Sequence, residues 1–202
     1  MTIAWLVVDL GDVAARFLPG RRLAALATET GLDTAVIEDR LFVSGLDRDS
    51  ELGAYDRQTV LDEIIARLDG RIDPAALVTA WSAAFEPNGV LLDALRRRTF
   101  RMCLFTNNGP MINHCLEGPL AALDAGFEVV ICSWQLGSTK PSPDAFHAAA
   151  SLLGSRSDEL LLLDDNIANV EAAKASGWRA WQYRSVAEVL SAIDQVDLPN
   201  RF

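Results

Sequence analysis

At 202 residues, half of them apolar, the chain is long enough to bury a sizeable core without covalent staples. Its 18 Lys plus Arg against 28 Asp plus Glu give a net charge of -10, so it has no general attraction for phosphate backbones or anionic lipid. That excludes nucleic acid and membrane as expected partners; monomer and homodimer are both compatible with it.

In chain order, the N-terminal segment MTIAWLVVDLGD carries no basic flank, and its apolar run stops at a carboxylate after a few residues. It therefore reads as neither a signal peptide nor an anchor, and the expected location is cytoplasmic. Residues 3–8 are a buried strand that ends in Asp9-Leu10-Gly11-Asp12. From 16 to 85 the pattern changes to helical periods, over 21–30, 34–41, 57–68 and 74–85, separated by turn-rich pieces such as 47–49 and 69–73. No buried strand interrupts them, which predicts an all-helical insert.

After the insert the chain alternates strand and helix. A helix over 90–98 ends in the basic cluster Arg96, Arg97, Arg98 and Arg101, where cations complement the helix dipole. Strand 101–105 leads into Thr106-Asn107-Asn108-Gly109, and strand 128–132 precedes a loop holding Lys140-Pro141. Pro143 opens a helix over 144–153, strand 160–163 ends in Asp164-Asp165-Asn166, and a helix over 167–176 is closed by Gly177. With a last strand over 179–183, the alternation predicts a doubly wound, Rossmann-like parallel sheet of the α/β class. The cysteines Cys103, Cys115 and Cys132 form no close-spaced pair and read as reduced core residues.

Ligands of such sheets bind beyond the carboxyl ends of the strands, and every strand exit here is polar. Singly, each has a plain structural account: Asp9 and Gly11 a turn, Thr106 and Asn107 a cap, Asp165 or Asn166 the N-cap of the following helix, Lys140 a solvated lysine. Together they make coherent chemistry. A carboxylate can attack phosphorus only if the opposing charges are neutralised, and Mg²⁺ shared by Asp9 and Asp165 would do that. Thr106 and Lys140 would stabilise the phosphoryl oxygens, with Lys140 also keeping the crowded carboxylates ionised.

On these residues the chain resembles the haloacid dehalogenase-like superfamily over essentially its whole length. VVDLGDV is similar to the first motif, LFTNN to the second, GSTKPSPDAF to the third and LLLDDNIANVEAAKASGW to the fourth. The DLG form with DDNIANVEAA is most similar to the sugar-phosphatase branch typified by alpha-glucose-1-phosphate phosphatase and the N-terminal domain of soluble epoxide hydrolase. The resemblance implies a core domain of residues 1–15 and 86–202 and a helical cap domain of 16–85. It implies a Mg²⁺-dependent phosphatase of a small phosphorylated molecule, with Asp9 as nucleophile passing through an aspartyl-phosphate. Asp9, Asp164, Asp165 and the Gly11 carbonyl would form the metal site, with Asp165 touching the ion and Asp164 behind it or bridging to Lys140, and Thr106, Asn107 and Lys140 would be the substrate-binding groups.

Two departures matter. Relatives carry an aspartate two residues after the nucleophile, as general acid and base; here that residue is Gly11, and Asp12 points to the other face of a continuing strand unless a turn redirects it to take over the role. Losing such a group costs about 10² to 10⁴ in rate, so leaving groups that depart without much protonation are the expected preference. Asn169 stands where many relatives have an acid, and it can still hold metal-bound water. Specificity is assigned to the cap, where Trp81 and Phe85 read as a helix-face pair, Tyr55 as a residue near the site, and His114 and His147 as ordinary helix residues. The competing readings are a metal-free 2-haloacid dehalogenase, disfavoured by adjacent Asp164 and Asp165, and a phospho-ligand-binding module retired by Gly11.

Overall fold

The computed structural model describes residues 3–98 and 101–193. Its strands are β1 (Trp5–Val8), β2 (Ala15–Phe17), β3 (Phe85–Pro87), β4 (Arg101–Thr106), β5 (Val129–Cys132), β6 (Leu160–Asp164) and β7 (Arg179–Gln182). Five of them form one parallel sheet in the order β5-β4-β1-β6-β7. β1 is central because the chain winds outward from it first through β4 to β5, then returns to the other side for β6 and β7.

The central strands are apolar on both sides because both faces are covered. Trp5, Val7, Cys103, Phe105, Leu160 and Leu162 pack on the helices Pro143–Leu153 and Ile167–Ala175. Leu6, Val8, Met102, Leu104, Leu161 and Leu163 face the other way, onto Gly89–Arg96, Met111–Glu117 and Val186–Ile193. Burying each such side chain contributes about 1.5–3 kcal/mol, so a one-residue slip of β1, which exchanges its two faces, is strongly disfavoured. All three cysteines are free and buried. Burial pushes the Cys115 and Cys132 thiols up to about 12, so they stay unreactive.

Between β2 and β3 the chain is helical: Pro19–Thr30, Thr34–Glu38, a π-helical turn Asp39–Val43, Leu46–Glu51, Arg57–Arg67 and Pro74–Ser82. Three of these start on an aspartate whose carboxylate accepts a free N–H: Asp33 from Ala35, Asp56 from Thr59, and Asp73 from Ala75 and Ala76.

Four expectations are corrected. The 16–85 segment is not all helix, since its two ends lie in an antiparallel ribbon in which Arg16 pairs with Glu86 and Phe17 with Phe85, the two rings 5.4 Å apart. Phe85 thus belongs to a strand, and it shares no helix face with Trp81. Residues 47–49 are not a turn but part of the helix Leu46–Glu51. Arg101 does not belong to the basic cluster at the helix end: the helix closes with Arg96 in its last turn and Arg97 at its cap, as expected, whereas Arg101 opens β4 with its guanidinium 3.8 Å over the Trp5 ring. Among the described residues no helix is long and apolar enough to cross a membrane.

Candidate active site

The register of the sheet assembles the site. Val8 lies beside Leu104 and Leu163, so the next residue of each strand, Asp9, Phe105 and Asp164, stands at one level across three neighbours. Lys140, on the loop after the β5 exit, reaches under all three. Its Nζ donates to Asp9 Oδ1 at 2.8 Å, to the Phe105 carbonyl at 2.9 Å and to Asp164 Oδ2 at 2.6 Å. The lysine is 3% exposed, Asp9 9% and Asp164 0%, so these are charges withdrawn from water and held by one another.

Around this knot the remaining polar groups are organised. Asn107 clasps the Lys140 backbone, donating from Nδ2 to its carbonyl at 2.7 Å and accepting its N–H on Oδ1 at 2.9 Å. Its amide thus fixes the lysine with one N–H and one lone pair and keeps a second of each for a ligand. Asn169 Nδ2 donates to both oxygens of Asp164, at 3.0 and 3.1 Å, which turns its Oδ1 away; that oxygen is buried and without a hydrogen-bond partner. Thr106 Oγ1 accepts from Asn108 Nδ2 at 2.7 Å, leaving the hydroxyl proton to donate elsewhere.

Asp9, Asp164 and Asp165 each offer an oxygen within 4.8 Å of the others. Three carboxylates against one ammonium leave negative charge uncompensated, and the titration of the groups reflects it. Burial pushes the Asp9 carboxyl up to about 6, against the pull of Lys140 and with a further push from Asp164. Asp165 is raised by burial and by Asp164 and Asp12. Burial lowers the Lys140 ammonium, but Asp9 and Asp164 outweigh it and hold it above its ordinary value. Hard oxygen donors with surplus charge, beside an orphaned acceptor suited to a metal-bound water, fit a divalent cation of the magnesium type.

A cavity of ≈ 250 Å³ opens over this knot and is lined by Asp9, Gly11, Thr106, Asn107, Asn108, Lys140 and Asn169 from the sheet side. From the helical segment and its ribbon come Phe17, Arg22, Asp47, Glu51 and Phe85. Arg22, Asp47 and Glu51 went unremarked in the sequence. The signal available was the spacing of Asp47 and Glu51, four apart and so on one face of a helix; it was obscured by reading 47–49 as a turn.

Arg22 is 4% exposed, and its guanidinium lies 4.3 Å from the Trp81 ring centroid and within 5.8 Å of those of Phe17, Phe42 and Phe85. Trp81 and Phe85 thus meet around a cation. Asp12 takes a left-handed backbone, φ 54°, and its Oδ1 accepts the Phe17 N–H at 3.0 Å, so its carboxylate is engaged at the start of the ribbon. Tyr55 packs against the apolar core, His114 Nε2 sits 3.0 Å from the Arg57 carbonyl, and His147 lies within the helix Pro143–Leu153.

The strand order, with a helical excursion after the first strand and a lysine joining carboxylates on neighbouring strand tips, defines a hydrolase of the haloacid dehalogenase-like fold. The chain belongs to the haloacid dehalogenase-like hydrolase family, whose model matches residues 20–177. It is 31% identical over 153 residues to Phosphatase MT3486 of Mycobacterium tuberculosis (strain CDC 1551 / Oshkosh), covering 74% of this chain and 64% of that protein. The match thus spans less than two thirds of the relative's length. Among solved structures, a predicted HAD-like family hydrolase from Porphyromonas gingivalis superposes with TM-score 0.76 at 22% identity, covering 96% of this chain and 99% of its own. A HAD family enzyme from Bacteroides thetaiotaomicron, in complex with magnesium and inorganic phosphate, superposes with TM-score 0.70 at 18% identity, covering 90% and 94%.

Proposed function

We propose that the chain is a Mg²⁺-dependent phosphohydrolase acting on a small phosphate monoester, with Asp9 as nucleophile and residues 16–85 as a cap over a core of 1–15 and 86–202. One observation carries the reading: Lys140 is bonded at once to Asp9 and Asp164, with Asp165 completing a carboxylate triad that calls for a cation. The Mycobacterium relative's designation as a phosphatase, and the magnesium and phosphate bound by the Bacteroides neighbour, support it. Asp9, Asp164, Asp165 and the Gly11 carbonyl would hold the ion, which when bound neutralises the opposing charges and aligns the phosphoryl group.

The chain's own residues then divide the work. Lys140 keeps Asp9 ionised and turned toward the cavity, and its remaining charge attracts the phosphoryl oxygens. The free Thr106 proton donates to one of those oxygens. Asp9 Oδ attacks phosphorus, the bond to the leaving oxygen breaks, and water later releases phosphate from the aspartyl-phosphate. The cavity's size suits a small leaving group, a sugar phosphate among the candidates.

The test is hydrolysis of p-nitrophenyl phosphate and a panel of small phosphate esters with Mg²⁺ and with chelator. Activity should require the ion, and Asp9→Asn should lower kcat/KM by at least about 10³, as loss of a nucleophile does. Turnover of 2-chloropropionate in chelator, with no phosphatase activity, would overturn the reading.

A further inference from the structure

Gly11 supplies no acid, and Asp12, one of whose carboxylate oxygens accepts the Phe17 N–H, is not among the residues lining the cavity. The family site therefore lacks, on its sheet side, a group to protonate the departing oxygen. In-line displacement sends that oxygen away from Asp9, toward the opposite side of the cavity, and the helical segment forms that side. There the ionisable groups are Arg22, Asp47 and Glu51.

Glu51 is the one held against the sheet-side loops. The Ser133 hydroxyl donates to its backbone carbonyl at 2.8 Å and lies 3.4 Å from the Asn108 carbonyl, so one side chain bridges the residue to the loop after β4. Two glycines let the backbones approach this closely. A Cβ on Gly109 would stand 2.0 Å from Ser50 Oγ and 3.1 Å from the Ser50 carbonyl carbon. A Cβ on Gly53, whose φ is 84°, would stand 2.6 Å from the Trp134 carbonyl oxygen. Helix Leu46–Glu51 and the turn after it are thus seated on the loop after β4 and on the short helix Ser133–Leu136 that follows β5, with Glu51 opening into the cavity. Among the described residues, none donates a hydrogen bond to the Glu51 carboxyl group, which leaves it for a ligand.

We propose that Glu51 is the general acid and base of the reaction, replacing from the helical segment the carboxyl group that Gly11 lacks. The inference rests on the phosphatase reading. In the first step Asp9 Oδ bonds to phosphorus, the ester P–O bond breaks, and the Glu51 proton passes to the leaving oxygen to give a neutral alcohol. In the second, water adds to phosphorus, one of its protons passes to Glu51, and the bond to Asp9 breaks. Hydrogen phosphate leaves, and both carboxyl groups return to their starting states. Burial, together with Asp47 and against the pull of Arg22, pushes the Glu51 carboxyl up to about 7, so it holds a proton to give near neutrality. It lines the same cavity as Asp9 and Lys140.

The test compares kcat/KM of the wild type and Glu51→Gln across a series from p-nitrophenyl phosphate to simple alkyl phosphates, at saturating Mg²⁺. Loss of acid assistance should cost the variant about 10² to 10⁴ on alkyl esters and less than about tenfold on the aryl ester, whose leaving group needs no proton. The fall in wild-type alkyl activity above about pH 7 should vanish in the variant. An equal loss along the series, or none, would overturn the role of Glu51 while leaving the phosphatase reading intact. A wild type inert toward every ester, or an Asp9→Asn as active as the wild type, would remove that reading and Glu51 with it. An unchanged Mg²⁺-dependent rise in Tm verifies that the variant is folded.

Discussion

The two sides of the cavity solve the same problem differently. On the sheet side, buried charges are knotted together: one ammonium serves two carboxylates and a carbonyl, and Asn107 and Asn169 fix its partners. On the helical side, the single cation is wrapped in aromatic rings, and the acids beside it are left protonatable. At the strand tips burial is opposed chiefly by Lys140 and the Asp9 carboxyl rises only to about 6, whereas beside Arg22 burial and Asp47 prevail and carry the Glu51 carboxyl to about 7. A displacement at phosphorus needs both kinds of group.

Breaking the knot should have the largest effect on stability. Lys140→Met leaves Asp9 and Asp164 facing each other without their cation, and should cost about 3–5 kcal/mol in urea unfolding, far more than removal of an exposed lysine. Next is the metal: without chelator, Mg²⁺ at a hundred times its Kd should raise stability by about 2.7 kcal/mol, and Asp165→Ala should abolish most of that gain. The contact between the two sides is weaker. Gly109→Ala drives a methyl into Ser50 and should cost about 1–3 kcal/mol, as overpacking does. If Glu51 works from this seat, the same variant should lower kcat/KM on alkyl phosphates more than on p-nitrophenyl phosphate. Equal effects on the two would separate the docking of the helix from the chemistry.

The sheet side was legible in the sequence and the helical side was not, for a physical reason. β1, β4 and β6 are covered on both faces, so they appear as unbroken apolar runs, and the chemistry sits at their ends where the runs stop. Asp9, Thr106, Asp164 and Asp165 are each found at the point where such a run gives way to polar residues. The ribbon has strands of three residues, one ending in Pro87, too short for a period to register. Helix Leu46–Glu51 buries only Leu46 and Ser50, so LDRDSE carries almost no apolar signal. The partnership of Arg22 with Phe17, Phe42, Trp81 and Phe85 joins residues across the whole segment, and only the fold brings them together.

The aromatic shell around Arg22 also joins parts of the chain that are far apart in sequence. Two of its rings, Phe17 and Phe85, belong to the ribbon, and two, Phe42 and Trp81, to the helices. Ribbon and helices are therefore fastened together through one guanidinium, and the ribbon in turn meets the chain before it where the Asn88 N–H donates to the Ala14 carbonyl at 2.9 Å, so truncating that one side chain would unfasten both.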